Sequence, residues 1–378
     1  AIPLDADMCV EWLYEDAGID EDLCILQLNK MAEKTWLEKG CGIDNTFTFA
    51  MHQLVKASVQ RQLKMERTSH LNLVSRCATS LYNSVSAYKL SKSFAVLQFA
   101  KSIFSATIHA SIPHGQLSGE IGYFYSEVAE YCASLEWYQK TLDICAGIES
   151  DDPPNVANVY NNIAVIHKCQ GNYGLALEWY QKALSVTNPE EDDDLIFIAL
   201  VHSNIGIVYN MQQEHDLALE QYNISLEYSH KAHDIDSIAV AKTYTNIASV
   251  FDDLGKYRLA LEWNFKALAI KEKKLDKDHP SIATSYNNIA LVLKFLGMYD
   301  LSYEWNQKSL KIRECIYGED HPETAMSYLN IAYLHLEQGR TAEAIYLFKK
   351  VLQVYENRLG SDHQDTIKVK NELLHLEN

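Results

Sequence analysis

The sequence has few of the residues that interrupt helices. Its 378 residues include only seven prolines and fifteen glycines. Proline lacks a backbone donor and glycine loses more conformational entropy than other residues on folding, so this scarcity favours long helices over a sheet-rich fold with many tight turns. Hydrophobic residues make up 47% of the chain, which is enough for a continuous core. We therefore expect an ordered, mainly helical protein.

Several chemical signatures are also missing. The eight cysteines are scattered and none forms Cys-x-x-Cys. This pattern is typical of reduced thiols in a cytoplasmic protein rather than of disulfides or a zinc site. The sequence contains no Gly-x-x-x-x-Gly-Lys-Ser/Thr loop, no Gly-x-Ser-x-Gly elbow and no His-Glu-x-x-His pair. It therefore predicts a protein that is not an enzyme and that needs no metal and no cofactor.

Positive charge is in short supply. The formal net charge is −18, whereas a surface that clamps phosphates is expected to be basic, so we predict no nucleic-acid partner. No apolar run approaches the roughly 20 residues that cross a bilayer, and no signal peptide is visible, so we predict no membrane association and a cytoplasmic location.

The main positive signal is a repeat. An asparagine recurs every 42 residues within a common phrase, as in Tyr286-Asn-Asn-Ile-Ala, and the five positions are Asn162, Asn204, Asn246, Asn288 and Asn330. A constant period of this size indicates a stack of supersecondary units rather than a globule with one central site.

Each unit has the pattern of two amphipathic helices joined by a glycine turn. In one unit, Ile163 and Ala164 lie on the apolar stripe of the first helix, Gly171 suits the left-handed end of that helix, and Ala176 and Tyr180 mark the second helix. Small residues recur where the helices must approach closely, at Ala164, Gly206, Ala248, Ala290 and Ala332. In one unit the turn glycine is replaced by glutamine, at position 213.

These features resemble the tetratricopeptide repeat (TPR). The 42-residue length and the tripeptides Asp278-His279-Pro280 and Asp320-His321-Pro322 are similar to the long repeats of kinesin light chains. The resemblance implies an all-α TPR solenoid, a right-handed superhelix of helix-turn-helix repeats. We assign degenerate units to residues 66–148, five clear units to 149–361 and a C-terminal capping helix to 362–378.

Residues 1–65 do not follow the period. The phrase Met51-His52-Gln53-Leu54-Val55 resembles the Met-His-x-Leu-Val signature in the winged-helix segment of NB-ARC proteins, which are signalling NTPases of the STAND class. The resemblance implies a small N-terminal winged-helix-like domain and a nucleotide-binding domain upstream in the full-length protein. It also implies that His52 senses the nucleotide phosphate; the alternative is that His52 packs within the helical layer.

In the tetratricopeptide family the first helix of each unit lines the concave face. Carried over by motif, the predicted peptide-binding groove consists of Asn161, Asn162, Asn204, Asn210, Lys242, Thr245, Asn246, Asn287, Asn288, Lys294, Asn330 and Tyr333, and the same face carries Lys168, Asp252 and Glu337. A ladder of amides can donate to and accept from an extended peptide backbone of any sequence. The alternative is that each asparagine bonds to the neighbouring helix and fixes the stacking.

Charged and aromatic side chains raise further possibilities. Lys242 and Lys294 could meet a ligand carboxylate, although the family's two-lysine clamp for a C-terminal carboxylate is not reproduced in its usual pattern. Four tryptophans at one repeat position, Trp137, Trp179, Trp263 and Trp305, are interpreted as packing between repeats. The acidic run 190–194 is interpreted as a solvated loop, because it lacks the glycine and the spacing of an EF-hand.

The leading functional hypothesis is a non-enzymatic module that binds a protein or peptide on its concave face, as the C-terminal sensor arm of a STAND signalling NTPase. The alternative is a kinesin-light-chain-like adaptor or a general scaffold. A cargo adaptor should show heptads before the repeats, and none is visible in residues 1–65. An enzyme would need a site that the sequence does not show.

Overall fold

The computed structural model describes residues 97, 100, 101, 104, 112–148 and 156–377. These residues form thirteen α-helices and no strand, so the all-α expectation is confirmed for them. The winged-helix-like domain predicted for residues 1–65, and His52 within it, lie outside the described residues.

The helices belong to two compact units, and each is described by itself. The first unit ends at Val186 and contains α1 (Ile112–Glu127), α2 (Tyr131–Ala146), α3 (Val156–Cys169) and α4 (Tyr173–Ser185). The second unit begins at Thr187 and contains α5 (Asp192–Met211), α6 (His215–Lys231), α7 (Ile238–Asp253), α8 (Tyr257–Lys274), α9 (Pro280–Phe295), α10 (Tyr299–Tyr317), α11 (Pro322–Glu337), α12 (Thr341–Arg358) and α13 (Gln364–Glu377).

Consecutive helices form hairpins that stack on one another. Within the second unit, the most extensive contacts join α5 to α6, α7 to α8, α9 to α10 and α11 to α12, and the second helix of each of these hairpins also contacts the helix that follows it. First helices touch as well, since α5 contacts α7 and α9 contacts α11. The second unit is therefore a stack of helical hairpins whose first helices share one layer.

Small residues on the first helices allow the hairpins to close. Ala164, Ala248, Ala290 and Ala332 are at most 1% exposed. At Gly206 a Cβ atom would lie only 2.6 Å from the Tyr222 ring, so the tyrosine rests directly on the glycine backbone. The expected pattern of small residues at close approaches is confirmed.

The turns within hairpins depend on a left-handed residue. Gly171, Gly255, Gly297 and Gly339 all have positive φ angles, between 67° and 77°. The equivalent residue in the α5–α6 turn is Gln213, which adopts the same conformation with φ of 64°. Because a side chain in this region crowds the backbone, the glutamine costs about 1 kcal/mol relative to glycine.

Histidine and proline begin the later first helices. His279 and His321 precede Pro280 and Pro322, and each histidine Nδ1 accepts the backbone N–H two residues further on, at 3.1 Å and 3.2 Å. Proline fits the first helical position because its missing N–H would have no partner there. The tripeptides thus lie at the starts of α9 and α11.

Two interpretations change at α5. The acidic run expected to be a loop extends into the first turn of this helix, where Asp192 begins it and the Asp194 carboxylate accepts the Asn188 backbone N–H. Negative charge is favourable there because the amino-terminal end of a helix carries partial positive charge.

The expectation that no apolar run approaches the length of a membrane span was also wrong. By length and composition alone, the 18 residues Asp194–Met211, with a mean hydropathy of 1.4, could cross a membrane.

The apolar composition of α5 is explained by its packing. The helix contacts both α6 and α7, and 44% of the segment Asp194–Met211 is buried. A core helix of a repeat is apolar for the same reason that a membrane helix is, namely that its side chains are removed from water.

The repeated tryptophans pack within hairpins as well as between them. Trp263 lies 5.2 Å from the Tyr244 ring of its own hairpin, and Trp305 lies 5.3 Å from Tyr286 of its hairpin and 5.6 Å from Phe265 of the preceding one. A lysine three residues later covers each tryptophan face, at 3.7–4.1 Å. The interpretation as packing between repeats was therefore too narrow.

Candidate functional site

The candidate site lies on the first helices of the second unit, α5, α7, α9 and α11. Residues three and four positions apart share one side of a helix, as Lys242 does with Thr245 and Asn246 on α7, and Asn330 with Tyr333 on α11. We call this side the first-helix face. Its predicted members are Asn204 and Asn210 on α5, Lys242, Thr245 and Asn246 on α7, Asn287, Asn288 and Lys294 on α9, and Asn330 and Tyr333 on α11. Lys242 is exposed and the others are half-buried.

Exposed apolar side chains lie on the same stripes as the amides. They are between 37% and 50% exposed, and they are Leu200, Met211, Leu291, Phe295 and Met326. Each of them lies three, four or seven positions from an amide of the same helix, on α5, α9 or α11. The first-helix face therefore combines hydrogen-bonding amides with apolar contact area.

Some of the predicted amides join neighbouring helices. The Asn330 Nδ2 donates to the Asn287 Oδ1, which links α11 to α9. The Asn210 Nδ2 donates to the Asp253 Oδ2 at 3.2 Å, which links α5 to α7, and the Asn210 Oδ1 lies 3.0 Å from the His215 Nδ1. For these asparagines the geometry is that of the stacking alternative.

Other amides remain available. Asn246 and Asn288 are half-buried, and their side chains form no hydrogen bond with any residue that the structure describes. They occupy the same repeat position on α7 and α9, 42 residues apart. Asn204, at that position on α5, is half-buried and already has an interaction of its own. The asparagines of the repeat therefore differ in what they can offer to a ligand.

The cations on this face have different surroundings. The Lys294 Nζ lies 5.1 Å from the Phe295 ring centre and 6.0 Å from the Tyr333 ring centre, and these distances allow cation–π attraction. Lys242 is exposed on α7. The Thr245 hydroxyl, one turn further along, donates to the Ala241 carbonyl at 3.0 Å.

The remaining members of the face lie towards the carboxyl ends of the helices. Tyr333 packs edge-to-face on Phe348 at 5.2 Å, and burial raises its pKa. One carboxylate oxygen of Asp252 is buried without a hydrogen-bond partner among the described residues. Burial first, and then the charge of Asp253, raise the Asp252 pKa. Glu337 is exposed.

Three predicted residues belong to the first unit. Asn161 is buried on α3 and its Nδ2 donates to the Oδ1 of the half-buried Asn162 at 3.3 Å. Lys168 on the same helix is half-buried, and burial lowers its pKa.

Two buried cations in the second unit were missed by the sequence analysis. Lys271 on α8 is 4% exposed and Arg313 on α10 is 3% exposed. They occupy one repeat position, 42 residues apart. The available signal was a positive charge that recurs in place of Ser229 and Tyr355, which hold this position in the hairpins before and after.

The two cations have similar hydroxyl partners. The Lys271 Nζ donates to the Ser285 Oγ at 2.8 Å, and the Arg313 Nη1 donates to the Ser327 Oγ at 2.8 Å. Arg313 also pairs with Glu323, with 3.4 Å between the Nη2 and the Oε2. Lys271 instead lies 3.5 Å from the Thr245 Oγ1. Burial, with a smaller contribution from Lys242, lowers the Lys271 pKa to about 8.

Metal-binding groups were not found in the described part of the chain. No cluster of three or more histidine, cysteine, aspartate or glutamate side chains there could hold a metal ion. The described cysteines Cys132, Cys145, Cys169 and Cys315 are free thiols.

Stacked helical hairpins with a polar first-helix face define the class of helical repeat proteins. Within that class, a family model described as Tetratricopeptide repeat matches residues 115–188, 197–273 and 281–369, which is more than half of the chain. The chain belongs to the tetratricopeptide repeat family. A comparison with curated protein sequences found no match.

Solved structures with a similar fold include a quorum sensor and a Rap protein. The apo form of the quorum sensor NprR from B. thuringiensis is 14% identical with a TM-score of 0.53, over 86% of this chain and 93% of that one. A Rap protein complexed with Competence and Sporulation Factor is 13% identical with a TM-score of 0.53, over 80% of this chain and 87% of that one. At these identities the likeness concerns the fold alone.

Repeats of a putative kinesin light chain from Podosopora anserina are also similar. They are 17% identical with a TM-score of 0.46, over 56% of this chain and 98% of that one.

Proposed function

We propose that this chain is a non-catalytic binding module whose first-helix face holds an extended polypeptide. The main support is the pair Asn246 and Asn288, half-buried amides without hydrogen-bond partners among the described residues. An amide that lacks a partner in a half-buried position gains from a ligand that supplies a donor and an acceptor, and an extended backbone supplies both at every residue.

The apolar side chains of the same face have a complementary role. Leu291 and Phe295 flank the α9 amides and are 37% and 49% exposed. Hydrogen bonds between the ligand backbone and the asparagines do not depend on the sequence of the ligand. Contacts with these apolar side chains favour ligands that carry apolar residues at matching positions.

Two proteins with this fold have names that fit the proposal. A Rap protein is solved in a complex with Competence and Sporulation Factor, and NprR is described as a quorum sensor. These descriptions concern those proteins; they support a binding function, and tetratricopeptide repeats are generally not catalytic.

The experiment compares two pairs of asparagines. Peptides are selected on the wild-type chain from a random library displayed on phage, and a selected peptide serves as the probe in calorimetry. The double variant Asn246→Ala/Asn288→Ala should bind the probe at least about tenfold more weakly, because two backbone bonds at about 1 kcal/mol each are lost. Its melting temperature should change little.

The matched control is Asn287→Ala/Asn330→Ala. These two amides bond to each other between α9 and α11, so their loss should lower stability and affect the dissociation constant less. Failure to select any peptide, or unchanged binding by the Asn246/Asn288 variant, would contradict the proposal.

The finer assignment is that this module is the cytoplasmic sensor arm of a STAND signalling NTPase. Its support is the sequence phrase Met51-His52-Gln53-Leu54-Val55 before the repeats, which lies outside the described residues. The test is to sequence the coding region that precedes residue 1. A phosphate-binding loop there supports the assignment and a role for His52. An upstream heptad coiled coil would favour a kinesin-light-chain-like adaptor instead.

A further inference from the structure

A cavity of about 480 Å³ lies between α10 and α12, and buried residues of α11 form its base. We call it the α10–α12 cavity. Because an α-helix has about 3.6 residues per turn, the lining residues Tyr328 and His335 lie on the side of α11 opposite Asn330 and Tyr333. The cavity is therefore separate from the first-helix face. Its volume falls within the range of roughly 300–1,000 Å³ that is typical of sites for small organic ligands.

The preceding repeat shows why the cavity exists. Between α8 and α10, the rings of Phe265 and Trp305 pack edge-to-face with 5.6 Å between their centres. The residues 42 positions later are Gln307 and Leu347, which have smaller side chains and line the cavity. The space that two aromatic rings fill in one repeat is therefore open in the next.

The base of the cavity differs from the preceding repeat in polarity. Leu293 holds this position there, is 4% exposed and belongs to a cluster of buried apolar residues. The equivalent residue here is the half-buried His335, which forms no hydrogen bond with any residue that the structure describes. Burial first, and then the charge of Arg340, lower the His335 pKa, so the imidazole is neutral at neutral pH. A polar ring in such a place lowers stability unless it gains a partner, and its Nε2 can donate or accept according to the tautomer.

Aromatic walls and a free carboxylate give the cavity a preference for positive charge. Tyr303 on α10 and Tyr346 on α12 line it from opposite sides and are 39% and 69% exposed. Glu343 lines the same cavity, is exposed and forms no ion pair with the residues that the structure describes. The faces of tyrosine rings and a carboxylate both attract cations.

The cations near the cavity leave this preference in place. Lys350 covers the Tyr328 ring at 4.0 Å and pairs with Glu319 at 2.7 Å, so that its charge is compensated. The charge of Arg340 acts on His335, but Arg340 does not line the cavity. Among the described residues that do line it, Glu343 alone is charged at neutral pH.

We propose that the α10–α12 cavity binds a small organic cation that carries a planar aromatic ring. The ring lies between Tyr303 and Tyr346, in the space left by Leu347. The protonated amine of the ligand faces Glu343, and His335 bonds to a polar atom of the ring. This site goes beyond the proposed binding of a polypeptide, because it uses the opposite side of α11 and takes a different class of ligand.

The first test uses three probes that share an indole ring and differ in charge. Tryptamine is a cation, skatole is neutral and indolepropionate is an anion. Each is titrated into the full chain while the isoleucine and leucine methyl resonances are followed by NMR. Tryptamine should shift the resonances of Ile331 and Leu347 and should bind at least about fivefold more tightly than indolepropionate, because the cavity attracts cations. Unshifted Ile331 and Leu347 resonances, or equal binding of the cation and the anion, would overturn the proposal.

The second test fills the cavity with the side chains of the preceding repeat. Leu347→Trp and Gln307→Phe/Leu347→Trp should each weaken tryptamine binding by at least about tenfold, because the added rings occupy the place of the ligand. Both variants should melt at the wild-type temperature or above it, since the same rings pack together between α8 and α10. A folded variant of either kind that still binds tryptamine as the wild-type chain does would place the ligand elsewhere.

The third test separates the cavity carboxylate from the net charge of −18. Glu343→Gln should weaken tryptamine binding by about threefold, as expected for an exposed charge, and should leave skatole binding unchanged. The matched control is Glu356→Gln, which alters an exposed carboxylate on the same helix outside the cavity and should change neither. Equal losses in the two variants would contradict the role of Glu343. Asn246→Ala/Asn288→Ala should bind tryptamine as the wild-type chain does, so a failure of the polypeptide site would leave this cavity unaffected.

Discussion

The α5–α6 and α9–α10 hairpins share one backbone plan but fill their interiors differently. In α5–α6 the Tyr222 ring lies on Gly206. In α9–α10 the equivalent residues are Asn306 and Ala290, and the buried Asn306 Oδ1 has no hydrogen-bond partner among the described residues. Asn306 also lines a cavity of about 20 Å³ next to Ser302. The glycine and the tyrosine form a matched pair, and replacing both leaves a polar, less filled interior.

The same two hairpins differ at the cation position. Ser229 is buried in α6, whereas Arg313 is buried in α10 and is compensated by Ser327 and Glu323. The comparison teaches that the repeat fixes where helices lie, while the chemistry inside each hairpin is set by a few local substitutions that depend on one another.

The largest expected effect is at the glycine–tyrosine pair. Gly206→Ala should destabilise the protein by about 2–3 kcal/mol, because the new methyl group would lie 2.6 Å from the ring of Tyr222, which is buried. Urea denaturation measures the change. Gly174→Ala is the control, since nothing lies within 4 Å of its added Cβ, and it should be neutral or stabilising. Equal effects of the two would mean that the interior of α5–α6 is not tightly matched.

An intermediate effect is expected at the buried arginine. Glu323→Ala should cost about 1–2 kcal/mol, because Arg313 loses its counterion; the estimate is kept below that for a fully buried pair since Glu323 is 47% exposed. Lys271→Met, which removes the uncompensated cation one repeat earlier, should leave stability unchanged or raise it. Chemical denaturation of both variants gives the comparison. A larger loss for Lys271→Met would show that its hydroxyl bonds outweigh the buried charge.

The smallest effect is expected at the turns. Gln213→Gly should stabilise the protein by about 0.5 kcal/mol, since relief of the left-handed strain exceeds the added entropy of glycine in the unfolded chain. The reciprocal change Gly297→Gln, in the α9–α10 turn, should destabilise by a similar amount. Thermal melting of the pair is the measurement. A loss of stability in Gln213→Gly would mean that the glutamine side chain makes a compensating contact.

Much of the local structure could be predicted because it depends on spacing. The period placed the hairpins, the positive φ at Gln213 followed from its alignment with Gly297, and the start of α9 followed from His279 and Pro280. The acidic run 190–194 was interpreted as a loop throughout, whereas residues 192–194 form the first turn of α5. Charge alone does not separate a loop from a first helical turn, because both expose acidic side chains to water.

The sequence located the candidate site but did not distinguish the roles of its asparagines. The repeat gave every asparagine the same expected role, whereas Asn287 and Asn330 bond to each other and Asn288 forms no such bond among the described residues. Lys271 was missed altogether. The hydroxyls around its ammonium group belong to Thr245 on α7 and Ser285 on α9, and no pattern within α8 reports on them.

The sequence by itself determined the helical repeat, its period and the side of each first helix that carries amides, because these follow from local geometry that every unit repeats. Only the tertiary structure decided which amides bond between helices, which have no hydrogen-bond partner among the described residues, and which of the two buried cations has a carboxylate partner. Those outcomes depend on distances between side chains of different helices, and a difference of one residue, such as Ser281 against Glu323, is enough to change them.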